Sequence, residues 1–209
     1  MNWKKIAISL LITLIIAVIL FQWVYRPWNL TWGATEEEVN RPMVGDEIVE
    51  FPTFVATRAI SIDASPEEIW SWIVQMGYKR AGFYSYDFLD NDGIPSADRI
   101  IDLYQNLKIG DQFPLAKKGY VLVEELEPHR YLLLVSESRA FTWAWGLYET
   151  DQHQTRLVTR IHHRMDSKIM TLMWDGFEFF MMRKCLLGIK DRAEGLSEEH
   201  KDSTTGAIP

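Results

Sequence analysis

Hydrophobic positions along the chain fall into three regimes: a continuous apolar block at the start, alternating segments in the middle, and helical spacing at the end. The block is Ile6 to Tyr25, twenty residues broken only by Ser9, Thr13 and Gln22. Thr53–Ile62 (TFVATRAISI) is β-branched and partly alternating, which predicts a strand. Ser65-Pro66-Glu67-Glu68 then forms a capping box with proline at the first helical position, opening a helix with Ile69, Trp70, Ile73 and Val74 on one stripe. Gly77 is placed to stop it. Residues 78–108 are irregular and aromatic-rich, with a short helix expected near Arg99–Tyr104. Strands follow at Gly110–Leu115, Gly119–Glu127, Arg130–Glu137, Ala140–Glu149 and Gln154–Met165, with hairpin turns at Pro128-His129 and Asp151-Gln152-His153. Lys168–Glu194 is one long helix with more than half its circumference apolar, so it is expected to be largely buried. An α+β domain results, with a long C-terminal helix lying across a curved antiparallel sheet.

The opening block predicts a membrane span. At 1.5 Å rise per residue a helix of this length reaches about 30 Å, the thickness of a bilayer's hydrocarbon core. Trp3 stands at one end, with Trp23, Tyr25 and Trp28 at the other, where amphipathic rings favour the headgroup region. A cleaved signal peptide shares the basic start, but its apolar region is shorter and ends in small residues rather than FQWVYRPW. Lys4 and Lys5 before the span, against Arg26 alone just after it, place the N-terminus in the cytoplasm and the domain on the non-cytoplasmic side. The organisation expected is a membrane anchor over residues 1–28, a connector over 29–50 with one short helical turn, a folded domain over 51–195, and a disordered polar tail over 196–209.

Net charge is −7, and removing Lys4 and Lys5 leaves 20 basic against 29 acidic residues. Such a surface repels nucleic-acid phosphates, so no nucleic-acid partner is expected. The single cysteine, Cys185, excludes an intrachain disulfide and lies in an apolar helix that offers no activating partner. Asp87, Asp90 and Asp92 before Gly93 suggest a calcium loop, but counting from that glycine puts Phe88 and Arg99 where acids are required. No phosphate loop, nucleophile elbow or zinc motif occurs, so neither metal nor cofactor is expected.

Several strings carry a resemblance. Trp32-Gly33-Ala34-Thr35, Arg41-Pro42 and Gly45-Asp46-Glu47 lead in. The first strand and helix are TRAISIDASPEEIWSWIVQMG, Thr57 to Gly77. An aromatic loop Gly82-Phe83-Tyr84-Ser85-Tyr86-Asp87 follows, then Ser96-Ala97-Asp98-Arg99-Ile100, and Gly188 to Glu194 ends the last helix. Together, over residues 31–195, they resemble the polyketide cyclase/dehydrase-like branch of the START-like (SRPBCC) superfamily. The resemblance implies a helix-grip fold with a cavity between the sheet's concave face and the C-terminal helix. Members of that superfamily bind lipids, hormones or polyketides, and only some are enzymes.

Candidate site residues follow from that geometry. Alternation puts Phe141, Trp143, Trp145 and Leu147 on one strand face, as core filling or as a cavity wall for a flat or greasy ligand. Five methionines fall in Met165–Met182, flexible surface suited to varied ligands or to filling gaps. The expected ligand-facing set is Tyr84, Tyr86, Trp143, Trp145, Ile161, His163, Met173, Phe177 and Phe180. For chemistry the only candidates are Tyr84, Tyr86, Asp87 and His163. His163 shares the inward phase with Leu157, Thr159 and Ile161, whereas His162 shares the outward one with Arg156, Arg160 and Arg164, so the two cannot grip one metal. The leading reading is a membrane-tethered domain that binds an apolar small molecule or lipid. The alternatives are a cyclase- or dehydrase-type enzyme acting on an apolar substrate, and an interaction module with a vestigial cavity. A cavity of roughly 300 Å³ or more separates the last from the others.

Overall fold

The computed structural model describes residues 3–150 and 154–205; within these, the side chains of 4, 168–170, 172–173 and 196–205 are not described. The chain begins with one continuous helical rod: α1 (Trp3–Leu20), a π-helical stretch (Phe21–Tyr25) and α2 (Arg26–Leu30). Its segment Lys5–Leu30 is long and apolar enough to cross a membrane, and the most apolar stretch within it is not covered by the rest of the protein. After α3 (Glu36–Asn40) come β1 (Phe54–Ile62), α4 (Pro66–Gln75), the short α5 (Asp87–Asp90) and a 3₁₀ turn (Asp102–Tyr104). Then β2 (Gln112–Ala116), β3 (Gly119–Glu127), β4 (Tyr131–Val135), β5 (Phe141–Glu149) and β6 (Thr155–His163) lead into α6 (Lys168–Thr205). The six strands form one antiparallel sheet in the order β1-β6-β5-β4-β3-β2. The turn expected at Asp151–His153 lies outside the described residues.

Local chemistry makes the elements where the pattern placed them. At α4, Ser65 Oγ accepts from the Glu68 amide, and Glu68 returns the bond to the Ser65 amide at 2.9 Å. The main core lies between the concave face of the sheet, α4 and α6, and contains Ile69, Trp72, Ile73, Phe113, Trp145, Leu157, Leu186 and Ile189. Gly188 lets α6 approach the aromatic loop: a Cβ there would lie 2.3 Å from the Tyr84 carbonyl oxygen.

Two expectations about segments change. The polar tail continues α6 as far as Thr205, so the helix outruns its apolar stretch by about ten residues; Gly206–Pro209 lie outside the described residues. The connector is a second packed layer on the convex back of the sheet. Met43 packs there with Ala59, Leu133, Val135, Ala144 and Val158, supported by Ala34, Val44 and Ile48. The outward arginines of β6 hold this layer. Arg156 grips Glu38 through two 2.8 Å contacts, and Arg160 donates to the carbonyls of Glu38, Val39 and Arg41 and to Asp46. Those carbonyls end α3 without helical partners, so Arg160 satisfies groups that burial would otherwise orphan.

Candidate functional site

The N-terminal helix is fastened to the domain by a buried polar network. Arg26 pairs with Asp175 on α6 at 2.7 Å. Three residues on, Asn29 is fully buried and donates to the Asp175 carbonyl. Arg58, on the concave side of β1, donates to the Asn29 carbonyl and side-chain oxygen and pairs with Glu178 at 2.6 Å. Two arginines and two carboxylates balance, which makes their burial tolerable. Burial pushes the Glu178 carboxyl up, and Arg58 opposes it. Aromatic rings close around the network, with Phe179 against Tyr25 at 6.3 Å and against Trp28 at 5.2 Å. Asn29, despite heading an Asn-Leu-Thr triplet, is therefore inaccessible.

Beside this network a cavity of about 540 Å³ opens between the sheet and α6. Its wall comes from Phe141 and Trp143 of β5, Ile161 of β6, Phe83, Ser85 and Leu89 of the aromatic loop and α5, Leu115 of β2, and Trp174, Phe177, Met181, Met182 and Cys185 of α6. The volume lies within the range of small-molecule sites. Trp143 is held in place by donating its indole N–H to Thr159 Oγ1 at 2.9 Å, so its ring is a fixed wall rather than a mobile filler. Burial pushes the Cys185 thiol up, consistent with an inert wall residue.

No family model matches the chain, and no curated protein matches it. Solved structures with similar folds include a Nitrosospira multiformis protein, 11% identical, covering 69% of this chain and 99% of that one at a TM-score of 0.48. Another is a conserved protein of unknown function from Enterococcus faecalis, 13% identical, covering 77% and 90% at 0.43. A third is CalC, a self-sacrificing resistance protein from Micromonospora echinospora, 11% identical, covering 68% and 94% at 0.45. At such identities and scores these likenesses carry no argument about ligand or chemistry.

Of the residues expected to face a ligand, Trp143, Ile161 and Phe177 line the cavity. Trp145 is buried next to Trp143, with ring centroids 4.9 Å apart, as core. Met173 lies on α6, but its side chain is outside the described residues. Phe180 points to solvent, 57% exposed, and Phe177 is 54% exposed although one side of it meets the cavity. The expectation that these two phenylalanines are buried is thus corrected: the face of α6 that closes the core carries Met182, Cys185, Leu186 and Ile189 instead.

The candidate acid–base set does not converge on the cavity. Tyr84 is a core residue with a left-handed backbone; its hydroxyl donates to the Trp72 carbonyl at 3.0 Å and accepts from Gln75 at 2.9 Å. Burial pushes its hydroxyl up, and the Arg192 guanidinium stacks on the ring at 4.6 Å. Tyr86 faces outward, against Phe88. Asp87 is occupied by the Ser96 hydroxyl at 2.6 Å and the Ser96 amide, which folds the loop back on itself. His163 is wedged edge-on between Phe141 and Trp174, behind the wall they form, and burial holds it below the usual histidine range. Among the described residues no group of three His, Cys, Asp or Glu side chains could hold a metal.

Two of the carboxylates that line the cavity carry buried oxygens and were not anticipated from sequence. Asp90 has both oxygens buried without a hydrogen-bond partner, and burial, aided by the Asp87 charge, pushes it up to about 6. Glu178 also lines the wall, with Oε2 buried and unpartnered. A sequence signal existed for the second: Asp175 and Glu178, at i and i+3 in an apolar helix, require buried cations, and Arg58 is the one basic residue in an otherwise apolar and hydroxylic strand.

Proposed function

We propose that this protein is a membrane-tethered binder of an apolar small molecule or lipid, with its domain on the non-cytoplasmic side and the cavity under α6 as the binding site. The observation that carries the reading is the 540 Å³ cavity walled by Phe83, Phe141, Trp143, Ile161, Met181 and Met182. A vestigial cavity would have been filled by such side chains, since protein interiors close-pack. The likeness of the sequence strings to the START-like superfamily supports the same reading. The test is native mass spectrometry of the full chain in detergent, followed by melting with fatty acids, isoprenoids and flat aromatics. A ligand at about 100 times its dissociation constant stabilises the fold by roughly 2.7 kcal/mol. Trp143→Phe should shrink that shift more than it lowers the unliganded melting point. A chain that carries nothing, and that none of these compounds stabilises, returns the cavity to the vestigial reading.

Turnover of an apolar substrate is the second reading, and Asp90 is the observation in its favour. A carboxyl raised to about 6 inside an apolar wall suits proton transfer near neutral pH. If a bound compound is consumed, Asp90→Asn should abolish turnover while leaving binding intact; unaffected turnover would remove Asp90 from any mechanism.

A further inference from the structure

The mouth of the cavity is apolar on one side and polar on the other. Leu89 (49% exposed) and Phe177 form the apolar side, whereas Asp92 and Lys117, both exposed, form the polar one. The apolar side does not end at the mouth. Phe180 follows Phe177 by three positions on α6, and Phe88, 72% exposed, sits next to Leu89 on α5. Ser85 ties this loop to α6 by donating to the Met181 carbonyl at 3.0 Å, so the two sets of exposed rings belong to one surface. Large exposed aromatic side chains in such a cluster mark an interaction surface.

The place of that surface relative to the anchor identifies what covers it. Arg26, at the end of the apolar span, is paired with Asp175, and Phe179 packs on Tyr25 and Trp28. On the same helix Phe177 lies between those two contact positions and Phe180 directly follows them. From Asp175 to Met181 the helix rises about 9 Å. The headgroup zone on each side of a bilayer is about 5–8 Å deep, and it is where aromatic rings partition. Phe177 and Phe180 stand about 3 and 8 Å along α6 from the residue paired to the end of the span, a separation comparable with the depth of that zone.

We infer that the cavity mouth docks into the interface of the bilayer that holds the anchor, with Phe177, Phe180, Phe88 and Leu89 inserted and Asp92 and Lys117 left at headgroup level. Apolar molecules then pass between leaflet and cavity without crossing water. This rests on the membrane-tethered reading and extends it by naming the source of the ligand.

The test uses the full chain in phosphatidylcholine–phosphatidylglycerol vesicles. Cys185 is buried, so one added exposed cysteine takes an environment-sensitive fluorophore selectively. Phe177→Cys, Phe180→Cys and Phe88→Cys probe the rim at three independent, exposed positions. Ile12→Cys probes the anchor, and Asp191→Cys, about 24 Å further along α6 than Asp175, provides an exposed comparison. The rim labels should emit blue-shifted light, be quenched by nitroxide-labelled lipid, and resist aqueous iodide several-fold more than the Asp191 label. Rim labels as open to iodide as the Asp191 label, with the Ile12 label still quenched from lipid, would overturn the docking while leaving the tether intact. An Ile12 label untouched by nitroxide lipid would sink the tether and the docking together.

Discussion

Replacing Arg58 tests the network that fixes the domain on its N-terminal helix. Arg58 is 1% exposed, and its partner Glu178 is 6% exposed. Arg58→Ala leaves that carboxylate buried and unpaired, and it strips donors from both oxygens of Asn29. Removing one partner of a buried pair costs about 3–5 kcal/mol, because the remaining charge stays desolvated. For a chain of this size each kcal/mol lowers the melting point by about 2–4 °C, so a fall of about 6–20 °C is expected in detergent. Arg58→Met with Glu178→Leu removes both charges at similar volume and should recover most of the loss. The pH dependence has a definite sign. Burial already raises the Glu178 carboxyl, and losing Arg58 raises it further. A carboxyl raised in the folded state contributes stability that is present below its ordinary range and is lost as pH rises through its folded value. Parent and variant both lose stability from about pH 4.5 upward, so the Arg58→Ala deficit should grow only once pH passes the parent's own Glu178 value, which Arg58 holds lower. Urea unfolding at several pH values measures it. A single variant within 1 kcal/mol of the parent, or a double variant no better than the single, would refute the account of this network.

Asp90→Asn should stabilise the protein at pH 7. The carboxyl moves from its ordinary 3.8 to about 6, so its contribution is present below 3.8 and lost as pH rises through 6. Allowing for partial screening by solvent, the gain is about 1–2 kcal/mol, and the pH 4–6 slope in the melting point should flatten. Leu186→Ala, at a fully buried position, should cost about 2–5 kcal/mol, whereas Phe177→Ala, half-exposed, should cost no more than about 1.5. Equal losses at the two positions would contradict the rotation of α6 described above.

The local patterns were sufficient for much of this molecule. Twenty nearly unbroken apolar residues determine a span-length helix whatever follows them, because only length and apolarity are needed. Strict alternation in Phe141–Leu147 put Trp143 on the inward face, since a strand's side chains have no third direction. The capping box at Ser65 determined where α4 starts, since both its hydrogen bonds are made within four residues. What lay beyond local pattern was rotation and pairing. Apolar residues run round more than half of α6, so periodicity left several faces equally fit to close the core. Packing against the sheet and the aromatic loop chose Met182, Cys185, Leu186 and Ile189, and left Phe177 and Phe180 outside. Tyr84 reads as a loop residue at a cavity mouth, yet the close approach of Gly188 draws its ring into the core. The connector looked irregular because its partners, Arg156 and Arg160, lie more than a hundred residues away on β6. Arg58 and Glu178 are separated by 120 positions. A buried charge announces in the sequence that it needs a partner, and only the folded chain decides which one is within reach.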